Sequence, residues 1–472
     1  MEHLTALAAG FLEIEDSEPH VSLANGSVAI IEGPAPSYDE YVSALSERIP
    51  TIPHGRQVLR THPLDVGPPE WVDDPHFDIS RHLHRVALPH PGGDAELFQL
   101  IATTMERRLD RERPLWESWV IEGLSDNRWA VLTKIHHCIA DGIATTQMLA
   151  KFSDDDRGDS FANDTLGAKE HHRPALRLPS ISLNPVTWVS GIARGTLAAA
   201  TAAEHAAVGA AELTASLLNP GPQSSLSGPV TTMRRYTAAR VPLADMHQVC
   251  EAFGVTLNDV ALAAMTDSYR GILLSRGEKP SPNSLRTLVP VSIRAANQFN
   301  VTDNLVSAML PLLPVDEADP VKQLELVHSR LSWAKGSGQR EGGSAVLAAT
   351  KNFPFAFSAW TIRALARLPQ RAVVALATNV PGPRGRQTLM GRQVLEVLPV
   401  PPIALHLRTG VAMVSYADRF IFGITADYDT APDIEALATG IEDGVARLVK
   451  ASRARRRSRA AKSAAGPTAS SA

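Results

Sequence analysis

The sequence predicts a protein of the mixed α/β class with two domains of similar size. The chain has 472 residues, which exceeds the length at which a single hydrophobic core keeps growing. Its composition, 44% hydrophobic and 20% charged, is that of an ordinary soluble globular protein. Apolar runs with strand and helix periodicity alternate in both halves. Two α/β halves imply a cleft between them, which is the usual place for a ligand.

The first half alternates strand and helix patterns up to a polar segment at residues 153–179. We predict strands at 26–31 and 129–137 and helices at 38–48, 95–109 and 143–152. In the polar segment, the acidic run Asp154-Asp155-Asp156 lacks the ligand spacing of a calcium loop and is interpreted as a solvated loop. Residues 185–218 are rich in alanine and predicted to be helical, and residues 219–229 are rich in Pro, Gly and Ser.

The alternating pattern restarts near residue 230. We predict strands near 234–241, 285–291, 305–313, 372–379, 389–399, 408–416 and 419–427, and helices near 243–253, 257–274, 320–335, 354–368 and 432–451. The predicted organisation is an N-terminal domain at 1–184, a helical connection at 185–229, a C-terminal domain at 230–451 and a disordered tail at 452–472.

The formal net charge of −4 conceals a basic C-terminus. Residues 451–472 carry six basic side chains and no acidic one, which leaves −10 for the remainder. A solvated, disordered tail is the simpler interpretation, and attraction to anionic lipid headgroups is the alternative. Nucleic-acid binding is disfavoured because the body is acidic and the tail has no aromatic side chain to stack on bases.

The cysteine content and the termini bear on the compartment. Two cysteines, Cys138 and Cys250, cannot form a disulfide framework, so a reducing cytoplasm is expected. Residues 1–10 lack a basic segment and lead into acidic residues, unlike a secretory signal. The weakly polar stretch 188–218 is interrupted by charged residues, which argues against a membrane-spanning helix. Any membrane contact is therefore expected to be peripheral.

The most informative motif is the run His136-His137-Cys138-Ile139-Ala140-Asp141-Gly142. It follows a predicted strand and precedes a predicted helix, so it lies on a strand-to-helix turn. A neutral imidazole in an enclosed site is a general base near pH 7. Asp141 also suits a helix N-cap, and Gly142 suits a tight turn, so both have a purely structural interpretation.

Strand alternation separates the two histidines, since successive side chains point to opposite faces. His137 shares a bulky, uncharged face with Ile135, whereas His136 shares its face with Lys134. We therefore expect His137 to occupy the enclosed site and His136 to be structural. Cys138 is expected to be a small buried residue turned away from His137.

Four shorter stretches add to the histidine motif, although each has a simple structural explanation. They are Pro114-Leu-Trp-Glu117, Thr256-Leu-Asn-Asp259, Pro290-Val-Ser-Ile-Arg294 and Thr378-Asn-Val-Pro-Gly-Pro383. A buried Trp after a turn, a capped helix start, a surface cation and a Pro-Gly turn, respectively, account for them taken singly.

Together and in this order, P-L-W-E, H-H-x-x-x-D-G, N-D, P-V-S-I-R and N-V-P-G-P resemble the bacterial, actinobacterial-type, wax ester synthase/diacylglycerol acyltransferase family. The stretch 304–320 looks like that family as well, and the resemblance covers residues 10 to 450. It implies the chloramphenicol acetyltransferase-like fold, with two domains of mixed sheets flanked by helices and an active-site channel between them. The chain departs from the family pattern at 4–7, at 303–304 and at 415–418, and the histidine motif is intact.

The resemblance implies roles for particular residues. His137 is the expected general base, His136 a supporting residue, Asp141 a structural, orienting residue and Gly142 the turn residue. The expected substrate-binding or supporting residues are Asn258, Asp259, Ser292, Arg294, Asn304 and Asn379. Among these, Arg294 is the expected partner of Asp141, and Asn379 is the candidate oxyanion donor.

The implied reaction moves a long-chain acyl group from acyl-CoA to diacylglycerol, or to a fatty alcohol, at a membrane or lipid-droplet surface in the cytoplasm. No G-x-S-x-G sequence is present, so a serine nucleophile is unsupported, and no cofactor or metal is expected. Three alternatives stay open. They are an acyltransferase of complex lipid or polyketide synthesis that uses a carrier protein, a metal hydrolase that uses His137 and Asp141 as ligands, and a non-catalytic lipid-binding protein.

Overall fold

A computed structural model gives the fold. It describes residues 2–62, 67–139, 153–154, 224–292, 306–336, 373–380, 382–383 and 385–464. These residues form two six-stranded sheets and one three-stranded sheet, with helices packed against them. The mixed α/β class expected from the sequence is confirmed.

The N-terminal part contains, after a short first strand, a helix at Ala6–Ser17 that the sequence patterns did not predict. Its elements are β1 (Glu2–His3), α1 (Ala6–Ser17), β2 (Ala24–Glu32), α2 (Tyr38–Arg48), β3 (Gln57–Arg60), β4 (Glu70–Asp73), β5 (Leu83–Ala87), α3 (Asp94–Glu106), β6 (Trp116–Leu124) and β7 (Arg128–His136). The predictions for β2, α2, α3 and β7 hold to within three residues. Helix α2 begins at the capping box of Ser37 and Glu40.

The C-terminal part follows the predicted alternation closely. Its elements are β8 (Arg234–Pro242), α4 (Leu243–Phe253), α5 (Leu257–Ser275), β9 (Thr287–Ser292), β10 (Val306–Met309), α6 (Pro320–Gly336), β11 (Ala375–Val380), β12 (Thr388–Leu389), β13 (Arg392–Val400), β14 (Thr409–Tyr416), β15 (Arg419–Asp427) and α7 (Ile434–Ala464). The helices predicted at 143–152, 185–218 and 354–368 lie outside the described residues.

Among the described residues, one large sheet contains strands from both halves of the chain, and the other contains strands from the C-terminal half. One has the strand order β12-β13-β2-β7-β6-β5, and the other has the order β10-β9-β11-β14-β15-β8. Strand β13 pairs antiparallel with β2, where a Cβ on Gly26 would lie 2.9 Å from the Cβ of Val400. The prediction that 230–451 forms a separate C-terminal domain is therefore wrong for residues 388–400. Their apolar pattern specifies a strand but not the sheet that it joins.

Strand β7 lies near the centre of the N-terminal sheet, between β2 and β6. We expected one enclosed face, but both faces are buried. Lys134 is fully buried, and its ammonium donates to the carbonyl oxygens of Thr104 and Arg107. A cation at the C-terminal end of α3 suits the partial negative charge of the helix carbonyls there. This explains how a lysine occupies the interior of the sheet.

The last helix is longer than predicted. We expected a helix to residue 451 and disorder beyond it, but α7 continues to Ala464, so that prediction is wrong for residues 452–464. Ser452 accepts a hydrogen bond of 2.7 Å from Gln248 on α4. Arg455 lies over the ring of Phe253, and Arg456 pairs with Glu251 at 2.7 Å. Contacts to α4, together with the helix propensity of Ala and Arg, extend the helix.

Among the described residues, no single helix has the length and hydropathy of a membrane span, and α4 and α5, which satisfy both criteria only together, meet at an angle of 102°.

Candidate active site

His136 is a buried residue at the end of β7. Its side chain is 1% exposed, and its Nε2 lies 3.4 Å from Oε2 of Glu15 on α1. Its Nδ1 lies 3.1 Å from the main-chain nitrogen of Cys138, whose N–H it accepts when the imidazole is neutral. Burial disfavours a charged imidazole, but the side chains of Cys138 and Glu15 outweigh this effect and raise the pKa of His136 to about 9. His136 therefore faces α1.

The Glu15 carboxylate is the centre of this buried cluster. Its Oε1 accepts the main-chain N–H of Leu23 at 2.9 Å, and its Oε2 accepts from Arg111 at 2.6 Å. Burial disfavours the charged carboxylate, but His136, the Leu23 amide and Arg111 together lower the pKa of Glu15 to about 2. Glu15 is therefore ionised at neutral pH.

Strand β7 ends at His136, and His137 lies in the turn that follows. The alternation of side chains along the strand, from which we predicted the direction of the His137 side chain, therefore does not extend to it. The side chain is half-buried, and its ring stacks on Phe11 of α1 with centroids 4.1 Å apart and planes at 24°. Its main-chain N–H donates to the Leu23 carbonyl at 2.9 Å. Cys138 is a buried free thiol, as expected.

His137 lies where the two halves of the molecule meet. Phe11 packs against an apolar cluster to which both halves contribute. Its buried members are Val21, Leu23, Val230, Ile403 and Ala404. Leu405, also packed there, and His406 adopt left-handed backbone angles, with φ of 51° and 65°. Such angles cost a non-glycine residue free energy and are concentrated at functional sites. The Phe11 ring on which His137 stacks therefore packs in the same cluster as a strained loop of the C-terminal half.

The candidate residues of the C-terminal half fall into two groups. Asp259 completes the capping box of α5 with Thr256 and lies 2.8 Å from Nδ1 of His328, so its carboxylate has a structural use. Asn258 and Asn379 each have a buried side-chain oxygen without a hydrogen-bond partner among the described residues. Asn379 lies on β11, opposite Met413 of β14. An unpaired buried polar atom is a position that a bound ligand can satisfy.

Several predicted site residues cannot be placed relative to His137. Asp141, Gly142, Arg294 and Asn304 lie outside the described residues, and Ser292 is described only in its main chain at the end of β9. The pairing of Asp141 with Arg294 stays a prediction. Within the described part of the chain, no three His, Cys, Asp or Glu side chains lie close enough together to hold a metal ion.

Two family models match the chain. The wax ester synthase/diacylglycerol acyltransferase catalytic domain matches residues 4–261, and the corresponding C-terminal domain matches residues 302–449. The chain belongs to this family. It is 53% identical over 456 residues, or 97% of each chain, to the probable diacylglycerol O-acyltransferase tgs1 of Mycobacterium tuberculosis. A putative diacylglycerol O-acyltransferase of the same organism is 46% identical and covers 95% of this chain and 91% of its own length.

Solved structures show the same fold. The wax ester synthase/diacylglycerol acyltransferase from Marinobacter aquaeolei VT8 is 25% identical and superposes with a TM-score of 0.67, covering 96% of this chain and 100% of its own. A starter condensation domain of rhizomide synthetase superposes with a TM-score of 0.59 at 12% identity, covering 95% and 94%, and shows the shared fold alone. The family and the acyltransferase fold expected from the sequence are confirmed.

Sequence reasoning missed the residues of this acyltransferase that surround the histidine pair. Phe11, Glu15 and Arg111 are far from the motif in sequence and were not candidates. The spacing of Phe11 and Glu15 places them one helical turn apart on one face, but that signal requires α1 to be recognised first. Asp154, the described residue of the acidic run interpreted as a solvated loop, is exposed, and it also accepts from Arg48 at 2.6 Å and from the Gly391 amide at 2.7 Å.

Proposed function

We propose that this protein is an acyl-CoA-dependent O-acyltransferase that transfers a long-chain fatty acyl group to diacylglycerol and so makes triacylglycerol. A fatty alcohol is the second acceptor that we propose, and the product is then a wax ester. The observation that carries the proposal is 53% identity, over 97% of both chains, to a probable diacylglycerol O-acyltransferase. The intact histidine pair supports it, since His137 is half-buried and stacked on Phe11.

The proposed chemistry is a direct transfer between two bound substrates. The His137 imidazole takes the proton of the acceptor hydroxyl as the hydroxyl oxygen attacks the thioester carbonyl. The C–S bond then breaks, and the proton passes to the departing CoA sulfur. A thioester is already activated, so the enzyme needs no nucleophile of its own. The oxygen that becomes negative in the transition state requires a hydrogen-bond donor, for which Asn379 is our candidate.

The identity of the acyl donor separates the main alternatives. A carrier-dependent acyltransferase would share the fold and the base but would take its acyl group from a phosphopantetheine-bearing protein. A lipid-binding protein would bind acyl chains and transfer none. The relatives named as diacylglycerol O-acyltransferases support diacylglycerol as the acceptor, and the CoA thioester is the donor that we propose.

The experiment supplies the purified protein with labelled palmitoyl-CoA or palmitoyl carrier protein, each with diacylglycerol or hexadecanol. Products are separated by chromatography, and His137→Ala serves as the blank. We expect triacylglycerol from palmitoyl-CoA, with the rate lost in His137→Ala by at least about 10²- to 10⁴-fold. Product from the carrier protein alone would favour the carrier-dependent alternative. No product from either donor would contradict the proposal.

We also propose that the protein works in the cytoplasm, at the surface of a membrane or lipid droplet. The support is the basic end of α7, where Arg453, Arg456 and Arg457 are exposed. Arginines on such a helix attract anionic headgroups by about 1 kcal/mol each. The described cysteines, Cys138 and Cys250, are free thiols, as a reducing compartment requires.

Vesicle flotation tests the surface proposal with the full chain. Binding to vesicles of phosphatidylcholine with phosphatidylglycerol is compared with binding to phosphatidylcholine alone. For Arg453→Gln and Arg457→Gln we expect about fivefold weaker binding per charge removed, and less difference at high salt. Equal binding of the wild type to both vesicles would contradict the role of α7.

A further inference from the structure

Helix α1 contacts the histidine pair through two residues one turn apart. Phe11 supplies the surface on which the His137 ring stacks, and Glu15 lies beneath His136. The last turn of α1 is held by Arg108, whose guanidinium donates to the main-chain carbonyls of Glu15 and Glu18. A cation at a helix C-terminus stabilises that end of the helix. The position of α1 is therefore fixed relative to β7.

Glu15 reaches the main chain on both sides of the base. On one side, its Oε1 accepts the N–H of Leu23, whose carbonyl in turn accepts the N–H of His137 at 2.9 Å. On the other side, its Oε2 lies 3.4 Å from Nε2 of His136, whose Nδ1 is 3.1 Å from the main-chain nitrogen of Cys138. His137 thus lies between two residues whose orientation depends on one carboxylate.

The cost of this arrangement argues for a use beyond stability. The Glu15 and His136 side chains are each 1% exposed. Taking a charge out of water costs free energy, and buried ion pairs replaced by apolar groups of similar size often leave a protein equally stable or more stable. Such a group is well suited to fix one conformation of its neighbours, at the price of some stability.

We propose that Glu15 is the positioning residue of this active site, which holds the main chain of His137 through Leu23 and through His136. The inference rests on the proposed acyl transfer, because a base needs accurate placement only if it reacts. The proposed role acts through the Leu23 amide and the His136 ring, so it involves no proton transfer by Glu15 itself. Its effect is on how often the imidazole has the geometry for reaction.

The test compares Glu15→Gln with the wild type. Glutamine keeps the size of the side chain and an oxygen for the Leu23 amide, but it removes the charge beside His136. We expect kcat with palmitoyl-CoA and diacylglycerol to fall by about 10- to 100-fold, with KM within about twofold. A merely structural role would lower the thermal midpoint and leave kcat per folded molecule unchanged, so circular dichroism accompanies each assay.

Asp16→Asn is the matched control. Asp16 lies next to Glu15 on α1 and contacts the same Arg111 at 3.2 Å, but its side chain is 63% exposed. We expect kcat within about twofold of the wild type, as is usual for exposed ion pairs. A similar loss of kcat in both variants would assign the effect to Arg111 and overturn the role of Glu15.

Glu15→Asp keeps the test decisive if Glu15→Gln does not fold. Aspartate retains the charge but is one methylene shorter, so we expect a folded protein with kcat lowered by about 3- to 10-fold. Wild-type kcat in the folded variant would overturn the proposal. An inactive wild type would instead contradict the proposed acyl transfer. Activity that is lost in His137→Ala but retained in Glu15→Gln would contradict only the role of Glu15.

Discussion

The end of β7 and the candidate polar positions of the C-terminal half differ in how their buried groups are paired. Around His136, the Glu15 carboxylate accepts hydrogen bonds from an amide and a guanidinium, and it makes an ionic contact of 3.4 Å with Nε2 of His136, which has no hydrogen-bond partner among the described residues. In the C-terminal half, Asn258, Asn379 and His406 each have a buried side-chain atom with no hydrogen-bond partner among the described residues. An unpaired buried polar atom costs about 1–3 kcal/mol. The first region therefore restrains the main chain next to His137, and the second retains hydrogen-bonding capacity that a substrate can satisfy.

Among the substitutions that test this difference between the two regions, Asn379→Ala is expected to have the largest effect on kcat. Because its Oδ1 has no hydrogen bond within the described structure, the substitution breaks no such bond there and should leave the thermal midpoint close to that of the wild type. If its amide stabilises the oxyanion, kcat should fall by about 10²- to 10³-fold. Turnover and thermal unfolding are measured on the same preparation.

Thr409→Val is the matched control for Asn379→Ala. Thr409 lies on the neighbouring strand β14, and its Oγ1 is 2.8 Å from the Tyr269 hydroxyl. Removing this bond should lower stability by about 1 kcal/mol and leave kcat unchanged. Loss of stability without loss of turnover in Asn379→Ala would contradict the assignment of its region to substrate binding.

A smaller effect is expected on the stability of the protein, through the pH dependence of the pair Glu15 and His136. The pKa of Glu15 is lowered from 4.5 to about 2, so its contribution to stability is present above pH 4.5 and is lost as the pH falls toward 2. The pKa of His136 is raised from 6.5 to about 9, so its contribution is present below pH 6.5 and is lost as the pH rises toward 9. The pair stabilises the fold most between these ranges.

The pH range in which the pair stabilises the fold is measured by comparing the thermal midpoints of the wild type and Glu15→Gln at a series of pH values. We expect a difference of several degrees near pH 5.5 that narrows toward pH 3 and toward pH 9, since 1 kcal/mol corresponds to about 2–4 °C in a domain of 150–250 residues. Asp16→Asn should show no comparable narrowing because its side chain is exposed. A constant difference from pH 3 to pH 9 would contradict the charge pairing of Glu15 with His136.

The smallest effect is expected at a position that holds the segment after the motif. Asp154 accepts from Arg48 and from the Gly391 amide, which connects this segment to α2 and to the hairpin of β12 and β13. Asp154→Ala should lower stability by about 1 kcal/mol and leave kcat within about twofold. Thermal unfolding of Asp154→Ala, Arg48→Ala and the double variant measures the coupling, and additive effects would contradict the contact.

The sequence predicted much of the fold because its signals there are local. Helix α2 has a capping box, and β15 has a clear apolar run, so their bounds match the structure. The placement of β13 in the N-terminal sheet depends on a long-range contact with β2, which no local pattern specifies. The extension of α7 likewise depends on contacts with α4 that are distant in sequence.

The candidate site likewise contains residues that the sequence identifies and residues that only the fold identifies. The pair His136-His137 was recognisable because the two residues and their strand are contiguous, and the buried position of His136 agrees with the structural role expected for it. Glu15 was not recognisable, since an acidic residue near the N-terminus has the pattern of a solvated group. Only the fold shows that Leu23 and Arg111 surround its carboxylate.

The central claim is that His137 is the reacting base, and His84 offers a matched histidine to test it. Both side chains are half-buried and stacked, His137 on Phe11 at 4.1 Å and 24°, and His84 on Trp119 at 4.2 Å and 27°. The measurement is kcat for palmitoyl-CoA and diacylglycerol in His137→Ala and His84→Ala, each shown to be folded. We predict a loss of at least about 10²- to 10⁴-fold for His137→Ala only. Near-normal turnover in folded His137→Ala, or an equal loss in both variants, would contradict the account.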